Sequence, residues 1–339
     1  MKKLFILAAA IVALASCSKE PETIVNDGSI KFANLETRTT VTNAESLNAG
    51  FTVLGYADAV TIFDNEETSK NGSYWTTESK KYWADNTTYN FFAAYPKHDL
   101  TGGANQASAS LVFKNEGEED LVLAGRQVVT LADGKGRGAA QLVFKHALSR
   151  VKFNFTNGFS SPDTEVKVDV SGLQLVGEAK TGTVTITSTN NADDIAQKPE
   201  LGTSTSAITW ASVTSSGNIN YMVDFKTPTI TEGVSSETDY KYIIPATNQE
   251  YKLIGTIKVY DETATIREYV FNESNPLVVK VIDAEKQVTK SVLTHEAGKS
   301  YTYNMTISAS LNEITFTVTV EEWADGNGED GENIQFPGN

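Results

Sequence analysis

The chain has 339 residues, long enough for two ordinary domains, and a net charge of −15. Removing Lys2 and Lys3 with a leader takes the charge to −17. A surface that acidic argues against nucleic acid as a partner. Cys17 is the only cysteine, so no internal disulfide can form. Stability must therefore come from hydrophobic cores, which domains of about 140 residues can supply.

The first residues read as a secretion signal spanning 1–16. Lys2 and Lys3 form a positive start, and Leu4 to Leu14 form an apolar stretch too short for a permanent bilayer-spanning helix. Leu14-Ala15-Ser16-Cys17 resembles the bacterial lipobox, in which cleavage precedes a cysteine that is then diacylated. An ordinary secretory signal would leave the single cysteine unexplained. Two acyl chains hold a protein on a membrane where one is marginal. No later segment is long and apolar enough to span a bilayer. Residues 17–28, with Ser18-Lys19-Glu20-Pro21-Glu22, read as a polar tether to the lipid.

From Ser29 onward the strand period of two dominates. Ile30-Lys31-Phe32-Ala33-Asn34-Leu35 predicts a first strand. Glu36-Thr37-Arg38-Thr39-Thr40 follows, a polar segment with one arginine. Locally it reads as a connecting loop, although an arginine-specific protease could cut after Arg38 if it is exposed. Tyr74, Trp75, Tyr82 and Trp83 cluster among polar residues. Buried, they are core packing, the preferred reading; exposed, Trp75 and Trp83 would make an aromatic platform for sugar rings.

Glu116-Gly117-Glu118-Glu119-Asp120 reads as a solvated acidic loop. It lacks the spacing of an EF-hand calcium site. Asp133 to Gly138 carries three glycines in six residues and marks a composition break, so a first domain is expected over 29–145 and a second over 146–323.

In the second domain, Val151, Phe153 and Phe155 alternate with polar residues. So do Val166, Val168 and Val170, then Leu253, Gly255, Ile257 and Val259. Tyr301, Tyr303, Met305 and Ile307 follow, and finally Ile314, Phe316, Val318 and Val320. Threonine and valine suit a half-buried pleated surface. Many short strands, frequent turn signals and no long amphipathic helix predict β-sandwiches. Residues 324–339 form an acidic, Gly-rich tail without alternation, although Ile334 and Phe336 offer two apolar side chains.

The sequence offers catalysis little to work with. His98, His146 and His295 are far apart, and His146 falls in phase with Leu142 and Phe144 on one strand face. No histidine pair has zinc-ligand spacing, and no cysteine remains for nucleophilic work once Cys17 is acylated. Two carboxylates at the right distance would suffice for a glycosidase, and carboxylates are abundant. The expectation is a protein without enzymatic activity, cofactor or metal.

Four segments together resemble the Mfa-like branch of the fimbrillin family of Bacteroidetes. They are Tyr89 to Pro96 (YNFFAAYP), Phe144 to Phe155 (FKHALSRVKFNF), Gly298 to Ser308 (GKSYTYNMTIS) and Ile314 to Gly326 (ITFTVTVEEWADG). The lipobox and Thr37-Arg38-Thr39 also fit. The acidic residues after Cys17 partly match a surface-export signal of such lipoproteins.

The resemblance implies an all-β chain of two tandem transthyretin-like sandwiches. It implies a type V pilus subunit, exported as a lipoprotein to the outer membrane surface and then incorporated into a fimbrium. It implies cleavage between Arg38 and Thr39 by an arginine-specific protease, which removes the first strand with Ile30, Phe32 and Leu35. A strand of another fimbrial subunit would then fill the groove. Either the Ile314–Val320 strand is part of the C-terminal sandwich and the tail donates in turn through Ile334 and Phe336, or the chain is an accessory, tip or lipid-retaining anchor component. The alternative is a surface lipoprotein that binds glycans, with a host or glycan ligand.

Overall fold

The computed structural model describes residues 27–34, 47, 49–130, 138–159, 166–176, 181–188, 208–212, 223–224, 229–230, 235–261, 264–283, 288–307 and 316–323. It is an all-β protein, as the alternation predicts.

The first unit is built on an eight-stranded sheet. Its order is Lys145–His146, Val122–Val129, Thr88–Tyr95, Thr52–Ala57, Val60–Asn71, Tyr74–Thr77, Phe32–Asn34 and Ala140–Leu142. The two outermost strands are neighbours in sequence. Leu142 and Lys145 can be at most about 11 Å apart along an extended chain. The sheet therefore has to roll up until its ends meet. Its concave face encloses a core that includes Phe32, Phe51, Phe63, Trp75, Phe91 and Phe144.

A second core lies on the opposite face of the central strands. Leu54, Phe92, Ala94 and Leu123 pack there against Leu111, Phe113, Val184 and Ile186. These last four belong to a separate four-stranded sheet ordered Ile208–Ser212, Thr181–Thr187, Ser108–Lys114 and Thr101–Gly102. The central strands are thus covered on both sides, which explains why Phe91-Phe92-Ala93-Ala94 is continuously apolar instead of alternating. The two sheets approach closely at Gly125, where a Cβ would lie 2.6 Å from the Thr187 carbonyl oxygen.

Position 145 does not separate the sheets. Thr181–Thr187 pairs with Ser108–Lys114 over seven residues, so strands from both sides of that position share one sheet. Further along, Lys167–Val176 pairs with Lys252–Tyr260, which pairs with Thr265–Phe271. Ser149–Asn157 runs parallel to Lys299–Ile307 over eight pairs, from Arg150–Ser300 to Asn157–Ile307. The inward residues of these two sheets, including Val151, Phe153, Val168, Leu253, Tyr303 and Ile307, form the third core. Ser149–Asn157 and Lys299–Ile307 each have one buried face, and there the period of two survives.

The acidic stretch keeps Glu116 and Glu118 exposed, as expected of a solvated loop, and its carboxylates also have partners. Glu116 pairs with Lys114, Glu118 with Lys241, Glu119 with His98 and Asp120 with His146. Beside it, Asn115 is fully buried; its Nδ2 donates to the Tyr242 carbonyl at 3.1 Å, and the Tyr242 amide donates to the Gly117 carbonyl at 2.9 Å. Glu118 meets a lysine 123 positions further along the chain, whereas Glu116 pairs with Lys114 two residues before it. Burial pulls the Lys241 ammonium down, but hydrogen bonds to Glu118 and Asp239 outweigh it and raise the pKa above the usual lysine range.

Candidate strand-exchange groove

The first strand occupies an interior lane of the rolled sheet. Phe32 lies opposite Trp75 of the antiparallel neighbour and opposite Ala140 of the parallel one. Ala33 faces Gln141, and Asn34 faces Leu142. Before the strand proper, the Ile30 amide donates to the Lys81 carbonyl at 2.7 Å, and the Ala140 amide donates to the Lys31 carbonyl at 2.7 Å. Trp83 N–H donates to the Gly28 carbonyl at 3.3 Å.

Asp27 pins the entry to this lane. Its carboxylate accepts from Ser29 and lies 3.4 Å from Lys31 and 3.2 Å from Lys80. The Ser29 hydrogen bonds, with the two lysines, hold it well below the usual carboxylate range.

The side chains decide how firmly the lane is filled. Ile30 is 3 % exposed and Phe32 is fully buried. The Phe32 ring meets Phe91, Phe63 and Phe51 edge-on at centroid distances of 5.3, 5.7 and 6.3 Å. Burying each of the two side chains contributes about 1.5–3 kcal/mol. Edge-to-face ring pairs add about 0.5–1.5 kcal/mol each, and each backbone hydrogen bond about 0.5–1.5 kcal/mol net. Because neighbours flank the strand on both sides, its removal would expose two rows of backbone groups and an aromatic floor. Such a slot is a template for another strand.

Of the residues singled out in the sequence, Ile30 and Phe32 sit together in this lane. Cys17, Leu35, Arg38 and Thr39 lie outside the described residues, as does the tail with Ile334 and Phe336. Phe51, Phe63, Phe91 and the Ala140–Leu142 strand complete the groove and were not legible as its walls. YNFFAAYP hinted at one of them, Phe91.

Trp75 and Trp83 do not form an aromatic platform. They are 4 % and 6 % exposed. Trp75 Nε1 donates to the Leu47 carbonyl at 2.9 Å, and its ring lies 5.8 Å from Phe51. Trp83 meets Tyr89 and Phe91 edge-on at 4.8 and 5.9 Å. Both rings roof the concave core because the rolled sheet turns their face inward, which leaves no ring face for a sugar.

The histidines serve packing and pairing. His98 Nε2 lies 2.6 Å from Glu119, and His146 Nδ1 lies 2.9 Å from Asp120. The His146 ring stacks on Trp323 at 3.6 Å. His295 is 2 % exposed, ringed by Tyr251, Tyr301 and Tyr303, with Nε2 2.6 Å from the Tyr303 hydroxyl. Burial pushes its pKa down to about 3. Among the described residues, no three His, Cys, Asp or Glu side chains are grouped to hold a metal ion.

Comparison with known proteins bears on this architecture. No curated protein matches the sequence. A fimbrial protein from Bacteroides vulgatus, solved by crystallography, is similar in structure, with a TM-score of 0.58 at 16 % identity over 87 % of this chain and 99 % of that one. At that identity the likeness concerns the fold. The tip fimbrial protein Mfa3 from Porphyromonas gingivalis, with a C-terminal truncation, aligns at a TM-score of 0.37 and 9 % identity over 87 % of this chain and 98 % of that one, too weak for any argument. The family model described as fimbrillin-like matches residues 32–323, from the buried Phe32 of the first strand to Trp323 at the end of the last, and the chain belongs to that fimbrillin-like family.

Proposed function

We propose that this protein is a structural subunit of surface fimbriae that polymerises by exchange of its first strand. Cys17 carries the lipid that brings the chain to the outer membrane surface. An arginine-specific protease cuts between Arg38 and Thr39, and the segment bearing Ile30, Phe32 and Leu35 departs. A strand of a neighbouring subunit takes the lane. A head-to-tail contact of this kind does not close on itself, so it builds a filament.

The observation that carries this reading is the position of Phe32. A short N-terminal strand, flanked by neighbours on both sides and carrying a fully buried ring, is held by contacts that a strand from another chain could reproduce. The C-terminal end contributes too. Phe316 is fully buried beside Phe153 and Tyr303, and Thr317–Glu322 pairs with Lys299–Ile307. That run is part of the subunit's own sheet, so a donor from this chain would use Ile334 and Phe336 beyond Trp323.

N-terminal sequencing of chains from assembled surface fibres tests the proposal. The expected mature start is Thr39. A chain that still starts at acylated Cys17 would reject the cleaved subunit and leave a lipid-retaining anchor role.

A further inference from the structure

We infer that the lane vacated by the first strand reads the order of its occupant's side chains. It takes a branched aliphatic residue first and an aromatic ring two positions later, in a segment running parallel to Ala140–Leu142. This rests on the strand-exchange reading and adds the chemistry of the partner.

The two sites along the lane are unlike. The Phe32 site is a box of three aromatic rings, Phe91, Phe63 and Phe51, each in a T-shaped pair with Phe32. Its lateral walls are unequal: small Ala140 on one side and Trp75 on the other. A ring fits beside the alanine and makes three T-shaped ring contacts, whereas a branched aliphatic there would leave part of the box empty. The Ile30 side chain, 3 % exposed, belongs to the same core. It lies where the backbone is clamped from both sides, by its own amide to Lys81 and by Ala140 N–H to the carbonyl of the adjacent Lys31. A ring in place of Ile30 has to displace packed neighbours, because interiors are filled to near-crystal density.

Direction follows from the backbone. A parallel neighbour on one side and an antiparallel neighbour on the other present different hydrogen-bond spacings, so a reversed segment meets the wrong pattern on both. The fitting partner is therefore an extended segment of the form aliphatic–x–aromatic, entering in the direction of Ile30 to Phe32.

The test uses the full chain with a sequence-specific protease site replacing residues 36–40. After cutting, two labelled synthetic peptides are offered: residues Gly28–Leu35, and the same peptide with the Ile30 and Phe32 side chains interchanged. The native-order peptide should be incorporated at least about tenfold more tightly than the swapped one, a difference of about 1.4 kcal/mol. Equal incorporation overturns the inference and leaves strand exchange standing. If neither peptide enters and the original segment never leaves, strand exchange fails as well.

A second arm needs no cutting. The uncut double variant Ile30→Phe with Phe32→Ile has unchanged composition. It should melt several degrees below the parent, and an unchanged midpoint also overturns the inference.

Discussion

The first and last described strands are both short, yet they are held in opposite ways. Phe32–Asn34 lies between two neighbours, with Phe32 fully buried beneath the rolled sheet. Thr317–Glu322 pairs along its length with Lys299–Ile307, and Val320 remains 50 % exposed. Residues at its ends hold it. Phe316 enters the third core, and Trp323 stacks against His146 and Tyr242 with the Arg150 guanidinium 4.9 Å from its ring. A strand paired on both sides leaves a slot on departure. A strand held by its ends leaves a sheet edge. The physical contrast explains why the N-terminal strand is the better candidate for exchange.

The largest effect expected from that contrast is at Phe32. Phe32→Ala should cost about 3–5 kcal/mol, seen as a lowered urea midpoint. A loss within about 0.5 kcal/mol would mean that the lane is not sealed by that ring. Trp323→Ala should cost about 3 kcal/mol, because the stacked ring and its cation–π contact go together. Its diagnostic is increased hydrogen exchange along Thr317–Glu322, with Phe32–Asn34 unaffected; exchange rising equally in both would refute the separate-clamp picture.

Acid should weaken the third core through His295. The folded pKa is about 3 and the ordinary value 6.5, so the unfolded chain takes up a proton first as pH falls. This contribution to stability is complete above about pH 6.5 and erodes toward pH 3, at about 1.4 kcal/mol per pH unit in the middle of that range. His295→Phe should flatten that part of a stability–pH curve by the same slope, although it removes the hydrogen bond between His295 and the Tyr303 hydroxyl. An unaltered slope would place the proton uptake elsewhere. The smallest effect belongs to the exposed edge: Val320→Thr should change stability by no more than about 0.5 kcal/mol. A larger loss would show that the last strand is held along its length.

Legibility in the sequence followed the number of buried faces. Val151, Phe153 and Phe155 announce their strand because one face is buried and the other is wet. Phe91 to Ala94 hide theirs because two cores share them. The glycine-rich break near residue 138 suggested a division that the Thr181–Thr187 strand crosses, since sheet pairing depends on which edge is free and not on distance along the chain. Trp75 and Trp83 were open to two readings because exposure of a ring is set by the roll of the sheet, which no local pattern encodes.

By itself, the sequence determined the all-β class, the apolar identity of the first strand and the single cysteine that marks the expected lipid site. Periodicity and composition are local properties, and they suffice for those. The tertiary structure alone decided that Phe32 sits between Trp75 and Ala140, that three phenylalanine rings surround it, and that the last strand belongs to its own sheet. Those contacts join residues far apart in the chain, and only closure of the rolled sheet brings them together.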